Sequence, residues 1–383
     1  MTVEGKYSKG LEGVVAGEST ICQIDVGNSR LYYRGYAIED LVRESSFEET
    51  TFLLVNEHLP TADELSDFTR RMRSERGVNS VVRRMISEFP SAGKPMEMLQ
   101  SVISYLSGTR EHQVRHSGMC NCRTTLHQVA QLATVLATYD RLRRGKPYLE
   151  PRADLGHAAN FLYMLTGKEP SARDARVFDG CLIMHAEHGF NASTFTARVV
   201  ASTLSTCYSS ISAAIGALNG SLHGGANEGV MDMLDEIGSP DKVAGWLDRT
   251  LAAKGKVMGM GHRIYRGTDP RAVIMERFLE DLCRDKGDTV VRPLLHEIER
   301  QFRARMDAEG KALYPNLDFY SGAVYTLLGI PRDLFTPIFA MARAAGWLAH
   351  ILEQRKDNRL YRPDCLFVGS APRPYVPVEA RTT

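Results

Sequence analysis

The strongest constraint on the fold is a long apolar stretch near the C-terminus, residues 334–352. Only Arg343 carries a full charge there, and small residues surround it. A helix that is apolar on every side lies either in a membrane or in the core of a large protein. A charge near the middle of a membrane span is costly. We therefore predict a buried core helix over residues 334–354.

Helical periodicity continues through most of the remaining chain, which favours a mainly α fold. Two helices are predicted to begin with capping boxes, one formed by Ser46 with Glu49 and one by Thr61 with Glu64. Further helices are predicted over residues 95–106 (with Gly108 as the stop), 125–143, 155–166, 172–185, 208–218, 226–237, 270–286, 291–309 and 321–328.

The strand signals are confined to residues 14–36. There the runs ICQIDV and RLYYRGY flank Gly27, Asn28 and Ser29, which are typical turn residues. We predict one small N-terminal β-hairpin. Segment 108–127 shows mixed charge and no clear period, so we predict a loop there.

Charge and composition narrow the classes of function. The chain has 383 residues and a net charge of +1, so no broad electrostatic surface for nucleic acid or membranes is expected. The N-terminal residues MTVEGKYSKG lack the apolar run of a signal peptide. The seven cysteines are odd in number and scattered, which favours reduced thiols in the cytoplasm.

Cys120 and Cys122 lie near three histidines, and these are side-chain types that can bind zinc. Those histidines are His112, His116 and His127. The spacing matches no common structural zinc site, so we expect a polar connection between helices and no metal.

One histidine, His262, lies in a glycine-rich loop, residues 256–271, with the sequence KVMGMGHRIYRGTDPR. Glycines at 259 and 261 allow unusual backbone angles and close approach to a ligand. Asp269 and Pro270 predict a helix start. Arg271 then falls in the first turn, where the helix dipole disfavours a cation, so we expect an anion beside it. The alternative is a solvated basic loop.

Three further stretches carry candidate chemistry. His223, in SLHGGAN, lies beside a predicted helix start, which favours its neutral form. Asp318, in YPNLDFYSG, has apolar neighbours that raise a carboxyl pKa and make a better base. His185 and His188 are predicted one helical turn apart. The structural alternatives are a histidine in a turn, an aspartate that caps a helix, and a polar helix end.

The combination of these residues suggests a reaction type. A buried Arg343 requires an anionic partner, and arginines bind carboxylates in a bidentate way. With Arg271 and Arg362, it indicates a di- or tricarboxylic acid as the ligand. Two imidazoles and one carboxylate suit enolisation followed by condensation.

The chain resembles the citrate synthase family over nearly its whole length. The stretches that carry this resemblance are GLEGVVAGEST, LYYRGYAIEDL, LIMHAEHGFNAST, SLHGGANEGV, GMGHRIYRGTDPRA, YPNLDFYSGAVY and YRPDCLFVG. The resemblance implies a helical fold with a small domain over residues 225–329 and a large domain over 1–224 and 330–383. It also implies condensation of oxaloacetate with acetyl-CoA, followed by hydrolysis to citrate and CoA, without a metal or other cofactor.

The resemblance also implies a role for each motif residue. Asp318 would be the base that takes the methyl proton, His223 would stabilise the enol, and His262 would activate the oxaloacetate carbonyl. The residues that would bind oxaloacetate are His188, Arg271, Arg343 and, from the partner subunit of a homodimer, Arg362. Those that would contact CoA are Arg266, Lys311, Val257, Gly259 and Gly261.

Alternatives remain within and outside this family. A 2-methylcitrate synthase, which uses propionyl-CoA, shares every catalytic residue named above. A catalytically silent CoA-binding homologue is a second alternative, and a metal-binding module built on Cys120 and Cys122 is a third. The N-terminal stretch resembles the short, dimeric citrate synthases, so citrate is the expected product and regulation by NADH is not expected.

Overall fold

The computed structural model describes residues 7–109, 122–262, 264–265 and 267–381, with Thr109 and residues 122–125 described by their backbone only. Sixteen α-helices lie in these ranges. They are α1 Ile38–Glu44, α2 Phe47–Asn56, α3 Ala62–Ser74, α4 Ser80–Ser87, α5 Pro95–Thr109, α6 Cys122–Arg143, α7 His157–Thr166, α8 Ala172–His185, α9 Ala192–Ser202, α10 Cys207–Leu218, α11 Ala226–Ile237, α12 Val243–Ala252, α13 Pro270–Lys286, α14 Val291–Ala308, α15 Leu317–Leu327 and α16 Phe335–Lys356. The mainly α prediction is confirmed.

Helix α16 is the centre of the fold, as the sequence predicts. It contacts helices α2, α5, α6, α8, α9, α10 and α11. With the 3₁₀ turn before it, the segment Arg332–Lys356 is long and apolar enough to cross a membrane, yet 94% of its apolar window is buried inside the protein. Burial of this kind is ordinary for a core helix. The length and composition of α16 are therefore weak evidence for a membrane span.

The N-terminal sheet contains the predicted hairpin and one additional strand. Strand β1, Cys22–Asp25, pairs antiparallel with β2, Arg30–Tyr33, in a register that places Cys22 opposite Tyr33. The short strand β3, Tyr36–Ala37, pairs with β2 and leads directly into α1. The buried hydroxyl of Tyr33 donates to the carbonyl of Glu187 at 2.8 Å, so the sheet supports the turn that follows α8.

The helices of residues 225–329 pack largely on one another. Helix α15 packs between α11 and α13, and α12 packs against α14. Helix α13 also contacts α1 and α8, and α11 contacts α16. These last contacts join the group to the rest of the chain, and the candidate site lies at this junction.

Several predicted boundaries need correction. The predicted loop over 108–127 is wrong at both ends, because α5 extends to Thr109 and α6 starts at Cys122; residues 110–121 lie outside the described residues. Helix α15 begins at Leu317, and not at residue 321, because Asn316 is the cap and accepts from the Asp318 main-chain N–H.

Four helices were missed by the sequence interpretation: α1, α4, α9 and α12. Three of these have ten residues or fewer, a length at which periodicity is weak. Helix α9 has a clear start signal, since the Asn191 side chain accepts from the main-chain N–H of Thr194. At α2 and α3 the predicted caps form, and the full reciprocal capping box is present at Thr61.

The expectation of reduced thiols is wrong at one position. Cys22, Cys181, Cys283 and Cys365 are free, whereas Cys207 is disulfide-bonded. Its partner lies outside the described side chains. Spacing along the sequence does not reveal which cysteines approach in space, which is why the pairing could not be anticipated.

Candidate active site

The loop that precedes α13 fixes the ring of His262. Its Nδ1 accepts from the main-chain N–H groups of Ile264 and Tyr265, at 3.0 and 3.2 Å. The ring proton is therefore on Nε2, which makes no hydrogen bond to the residues described by the structure and can donate to a ligand. Burial, with a contribution from the positive charge of Arg271, lowers the pKa of His262 to about 4. The imidazole is thus a neutral hydrogen-bond donor at physiological pH.

The rings of His188 and His262 pack against each other. The two ring centroids are 5.3 Å apart, and the His188 Nε2 is 3.3 Å from the Tyr265 hydroxyl oxygen. The predicted helical position of His188 is wrong, because α8 ends at His185 and His188 lies in the turn beyond it. Burial, together with the charges of Arg271 and Arg343, lowers the pKa of His188 well below its ordinary value.

Arg271 has an anionic partner within the chain. Its Nε and Nη2 bind the two carboxylate oxygens of Asp269 at 3.0 and 2.7 Å. Both side chains are buried. Arg271 keeps the pKa of Asp269 below its ordinary value although burial acts to raise it. The sequence predicts an anion beside Arg271 at the start of α13. Part of that negative charge is supplied by Asp269, the residue that caps the helix.

Arg343 is buried without an equivalent bidentate partner among the described residues. Its Nε donates to the carbonyl of His185 at 2.7 Å, and its guanidinium lies 4.6 Å from the centre of the Phe339 ring. Glu187 is a nearby carboxylate, and its attraction opposes the effect of burial on the pKa of Arg343. A cation held in this way suits a ligand that brings its own carboxylate.

His223 is held by the start of α9. The main-chain N–H of Ser193 donates to the His223 Nε2 at 3.1 Å, and the Ser193 Oγ lies 2.8 Å from the same atom. A main-chain N–H can only donate, so Nε2 accepts and the ring proton is on Nδ1. Trp347 of α16 donates to Ser193 Oγ at 3.2 Å and so fixes the position of this support.

Asp318 lies in the first turn of α15, where the helix dipole favours a negative charge. Burial opposes that effect and raises the pKa of Asp318 to about 6; Arg271 lowers it and Asp269 raises it by smaller amounts. A carboxyl group with this pKa is mostly ionised at neutral pH. It is also a stronger base than an ordinary aspartate, which suits abstraction of a proton from carbon.

Asp318 and His223 line the same small cavity at the junction of α11, α15 and α16. The other residues that line it are Gly224, Gly225, Ala226, Asn227, Thr336 and Phe339. The half-buried Asp318 side chain therefore faces an open space beside the His223 imidazole. Arg271 acts electrostatically on Asp318, His188 and His262, so its guanidinium lies close to this cavity.

The loop at residues 257–261 is fastened to the segment that carries Asp318. The main-chain N–H of Gly261 donates to Tyr314 and that of Asn316 to Gly259, at 2.8 and 2.9 Å. Gly259 has a φ of +75°, and a Cβ there would lie 2.7 Å from the Phe319 Cα. Both facts require glycine at 259. A ligand bound to this loop is thereby coupled to the position of Asp318.

The remaining predicted residues are placed differently. Val257 is buried, and Gly261 has a φ of +84°. Lys311 is exposed and pairs with Glu309, while Arg362 is exposed in the C-terminal tail and pairs with Asp364. Neither lines the cavity that Asp318 and His223 share. Arg266 lies outside the described residues.

No group of three or more His, Cys, Asp or Glu side chains that could hold a metal ion occurs within the described part of the chain. The pair His185 and His188 thus has no third ligand there. The region of Cys120, His112 and His116 lies outside the described residues. His127 is buried and hydrogen-bonded to the Tyr208 hydroxyl.

Four supporting residues were not found from the sequence: Ser193, Tyr265, Asp269 as a partner of Arg271, and Asn316. The cap signal Asn191-x-x-Thr194 marks the helix that presents Ser193, so it was a sequence clue to that residue. Asn316 and Asp269 make local cap contacts, but a cap signal does not report that Asp269 also pairs with the Arg271 side chain.

Comparison with known proteins gives one consistent family. A sequence model described as "Citrate synthase, C-terminal domain" matches residues 10–364. The chain is 45% identical to a citrate synthase of Acidithiobacillus ferridurans over 99% of this chain and 100% of that one. It is also 42% identical to 2-methylcitrate synthase 2 of Corynebacterium glutamicum, over 97% of each chain.

A solved structure agrees with these relatives. It is a ternary complex of carboxymethyl coenzyme A and oxaloacetate with the citrate synthase of the thermophilic archaeon Thermoplasma acidophilum. Its fold matches with a TM-score of 0.91 at 30% identity, over 98% of this chain and all of that chain.

Proposed function

The chain belongs to the citrate synthase family, and from that premise we propose that it condenses oxaloacetate with acetyl-CoA and water to give citrate and CoA. The observation that carries the proposal is the cavity shared by Asp318 and His223. A base and a hydrogen-bond donor there face the same small space, which is the arrangement that enolisation of a thioester requires.

In the first step, the Asp318 carboxylate removes a proton from the methyl group of acetyl-CoA. The raised pKa of Asp318, about 6, brings its basicity closer to that needed for a carbon acid. The Nδ1–H of His223 donates to the thioester oxygen as negative charge develops on it. Because Ser193 occupies Nε2, this ring cannot turn its acceptor nitrogen toward the substrate.

In the second step, the enol carbon attacks the ketone carbon of oxaloacetate. The Nε2–H of His262 donates to the ketone oxygen and then protonates the alkoxide that forms. A pKa of about 4 keeps His262 neutral, so it polarises the ketone without binding a second proton first. Water then hydrolyses the thioester and releases the CoA thiol.

Oxaloacetate would be held by His188, Arg271 and Arg343. Arg343 supports this role most strongly, because its guanidinium is buried and its terminal nitrogens make no hydrogen bond within the described part of the chain. Asp269 holds the guanidinium of Arg271 in place by pairing with it. The Arg271 guanidinium interacts electrostatically with His188 and His262. Two guanidinium groups match the two carboxylates of the substrate.

CoA would lie along the loop at 257–261, with Arg266 and Lys311 toward its phosphates. We place a small domain at residues 225–329 and a large domain at 1–224 and 330–383. Closure of the small domain over oxaloacetate would exclude water from the enol. Arg362, exposed in the tail, would complete the site of a partner subunit in a homodimer, and no resident cofactor or metal would be required.

A second candidate product is 2-methylcitrate, formed from propionyl-CoA. One relative supports it, since 2-methylcitrate synthase 2 of Corynebacterium glutamicum is 42% identical to this chain, as is the citrate synthase of Deinococcus radiodurans. One additional methylene in an apolar pocket changes discrimination by roughly 1–3 kcal/mol, so the catalytic residues do not distinguish the two.

The test is release of CoA thiol by the purified protein in the presence of oxaloacetate, with acetyl-CoA and propionyl-CoA compared by kcat/KM. A higher value with acetyl-CoA supports citrate synthesis. A higher value with propionyl-CoA moves the assignment to 2-methylcitrate with the same mechanism. No oxaloacetate-dependent release with either thioester would refute the proposal and favour a silent CoA-binding homologue.

A further inference from the structure

We infer that the γ-methyl group of Thr336 limits the length of the acyl chain, so that an acetyl group fits beside Asp318 and a propionyl group is disfavoured. This inference rests on the proposed function, because it assigns the walls of the cavity in which the thioester would be enolised. It names Thr336 as a specificity-determining residue for the same site.

The position of the acyl group follows from the two groups that must act on it. The carbon that loses a proton has to lie at Asp318, and the thioester oxygen has to lie at His223. Both side chains line one cavity. Any carbon beyond the reacting one must then lie against the remaining walls, which are formed by α11 and α16.

Thr336 forms part of that remaining wall, and its methyl group lies beside the backbone of Gly224. A Cβ added to Gly224 would lie 2.9 Å from the Thr336 Cγ2. Gly224 lines the same cavity and is adjacent to His223 in the chain. The methyl group is thus packed against the backbone beside the catalytic imidazole, where a longer acyl chain would have to extend.

The rotamer of Thr336 is held by a carboxylate from another helix. Glu228 accepts from the Thr336 Oγ1–H at 2.6 Å and from the Thr336 main-chain N–H at 3.3 Å. Glu228 lies in the first turn of α11 and Thr336 in the first turn of α16, so one carboxylate is close to two helix N-termini. Such an anchored side chain cannot rotate its methyl away without losing a charge-assisted hydrogen bond.

Two substitutions separate the methyl group from the hydroxyl. Thr336→Ser removes the methyl and keeps the hydroxyl that binds Glu228. Thr336→Val keeps the methyl group and replaces the hydroxyl by a second methyl group. It is therefore the matched control for loss of the hydrogen bond to Glu228. Thr336→Ala removes both groups and is the second test if the serine variant does not fold.

The readout is the ratio of kcat/KM for propionyl-CoA to kcat/KM for acetyl-CoA, with oxaloacetate saturating. We expect the ratio to rise roughly tenfold in Thr336→Ser, the effect of room for one methylene, and to stay close to the wild-type ratio in Thr336→Val. Thr336→Ala should raise the ratio as the serine variant does.

Two results would overturn the inference while leaving the proposed function intact. One is a wild-type ratio in both Thr336→Ser and Thr336→Ala. The other is a rise in Thr336→Val with a wild-type ratio in Thr336→Ser, because the Glu228 bond and not the methyl would then be responsible. A wild-type enzyme that releases no CoA with either thioester would instead refute the proposed function, and the inference with it.

Discussion

Replacement of Asp318 by asparagine should make the protein more stable at neutral pH while it removes the proposed base. The folded protein raises the pKa of this carboxyl from 3.8 to about 6, chiefly through burial. A carboxyl group that must ionise in a buried place opposes folding. Asparagine has nearly the same shape and never ionises, so it should remove that opposition.

The sign and size follow from proton linkage. Below the pKa of the unfolded chain both states are protonated, and Asp318 costs no stability. As the pH rises through about 6, the folded protein loses the advantage of holding the proton more tightly. At 1.36 kcal/mol per pKa unit, this pKa shift lowers the free energy of unfolding by at most about 3 kcal/mol at pH 7.5 and about 1 kcal/mol at pH 4.5.

The measurement is denaturant unfolding of wild type and Asp318→Asn at both pH values. The variant should be more stable at pH 7.5, and its advantage should shrink by about two-thirds at pH 4.5. Asp269→Asn is the matched control, because Asp269 pairs with the buried Arg271 and its pKa is lowered. That change should destabilise by about 3–5 kcal/mol. An Asp318→Asn protein no more stable than wild type at pH 7.5 would refute the reasoning.

Two further predictions concern activity. The kcat/KM for acetyl-CoA should fall about tenfold per pH unit below pH 6. Asp318 must be ionised to act as the base, while His262, with a pKa of about 4, stays neutral over this range. A pH profile that is flat from 5 to 8 would contradict this prediction. The Arg362→Ala and Asp318→Ala proteins should each be nearly inactive alone. When their subunits are exchanged, part of the activity should return, because one site of the mixed dimer would be intact. Subunit exchange without recovery of activity would contradict a shared site.

The core helix and the candidate residues on it were predictable from the sequence. Helix α16 stood out because its apolar residues cover every side, and Arg343 stood out as the only full charge in its apolar stretch, residues 334–352. The glycines of the His262 loop were equally clear, and Gly259 has the positive φ that a glycine permits. Local composition reports these features because each depends on the residue's own backbone or burial.

The partners of these residues were not predictable, because they come from distant parts of the chain. Ser193 reaches His223 across 30 residues, and the His185 carbonyl reaches Arg343 across 158. The hydrogen bonds that decide which nitrogen of His223 carries the proton therefore appear only in three dimensions. Arg271 is a different case, because its counterion Asp269 is only two residues away and was interpreted from the sequence only as a helix cap.

The most direct test of the account is to measure oxaloacetate affinity and turnover side by side in Asp318→Ala, with calorimetry for binding and CoA thiol release for activity. The account predicts that oxaloacetate binds nearly as in wild type, because His188, Arg271 and Arg343 are unchanged, while turnover falls by roughly the 10²–10⁴-fold that a general base contributes. Loss of binding together with turnover would contradict the division of roles, and so would turnover that persists.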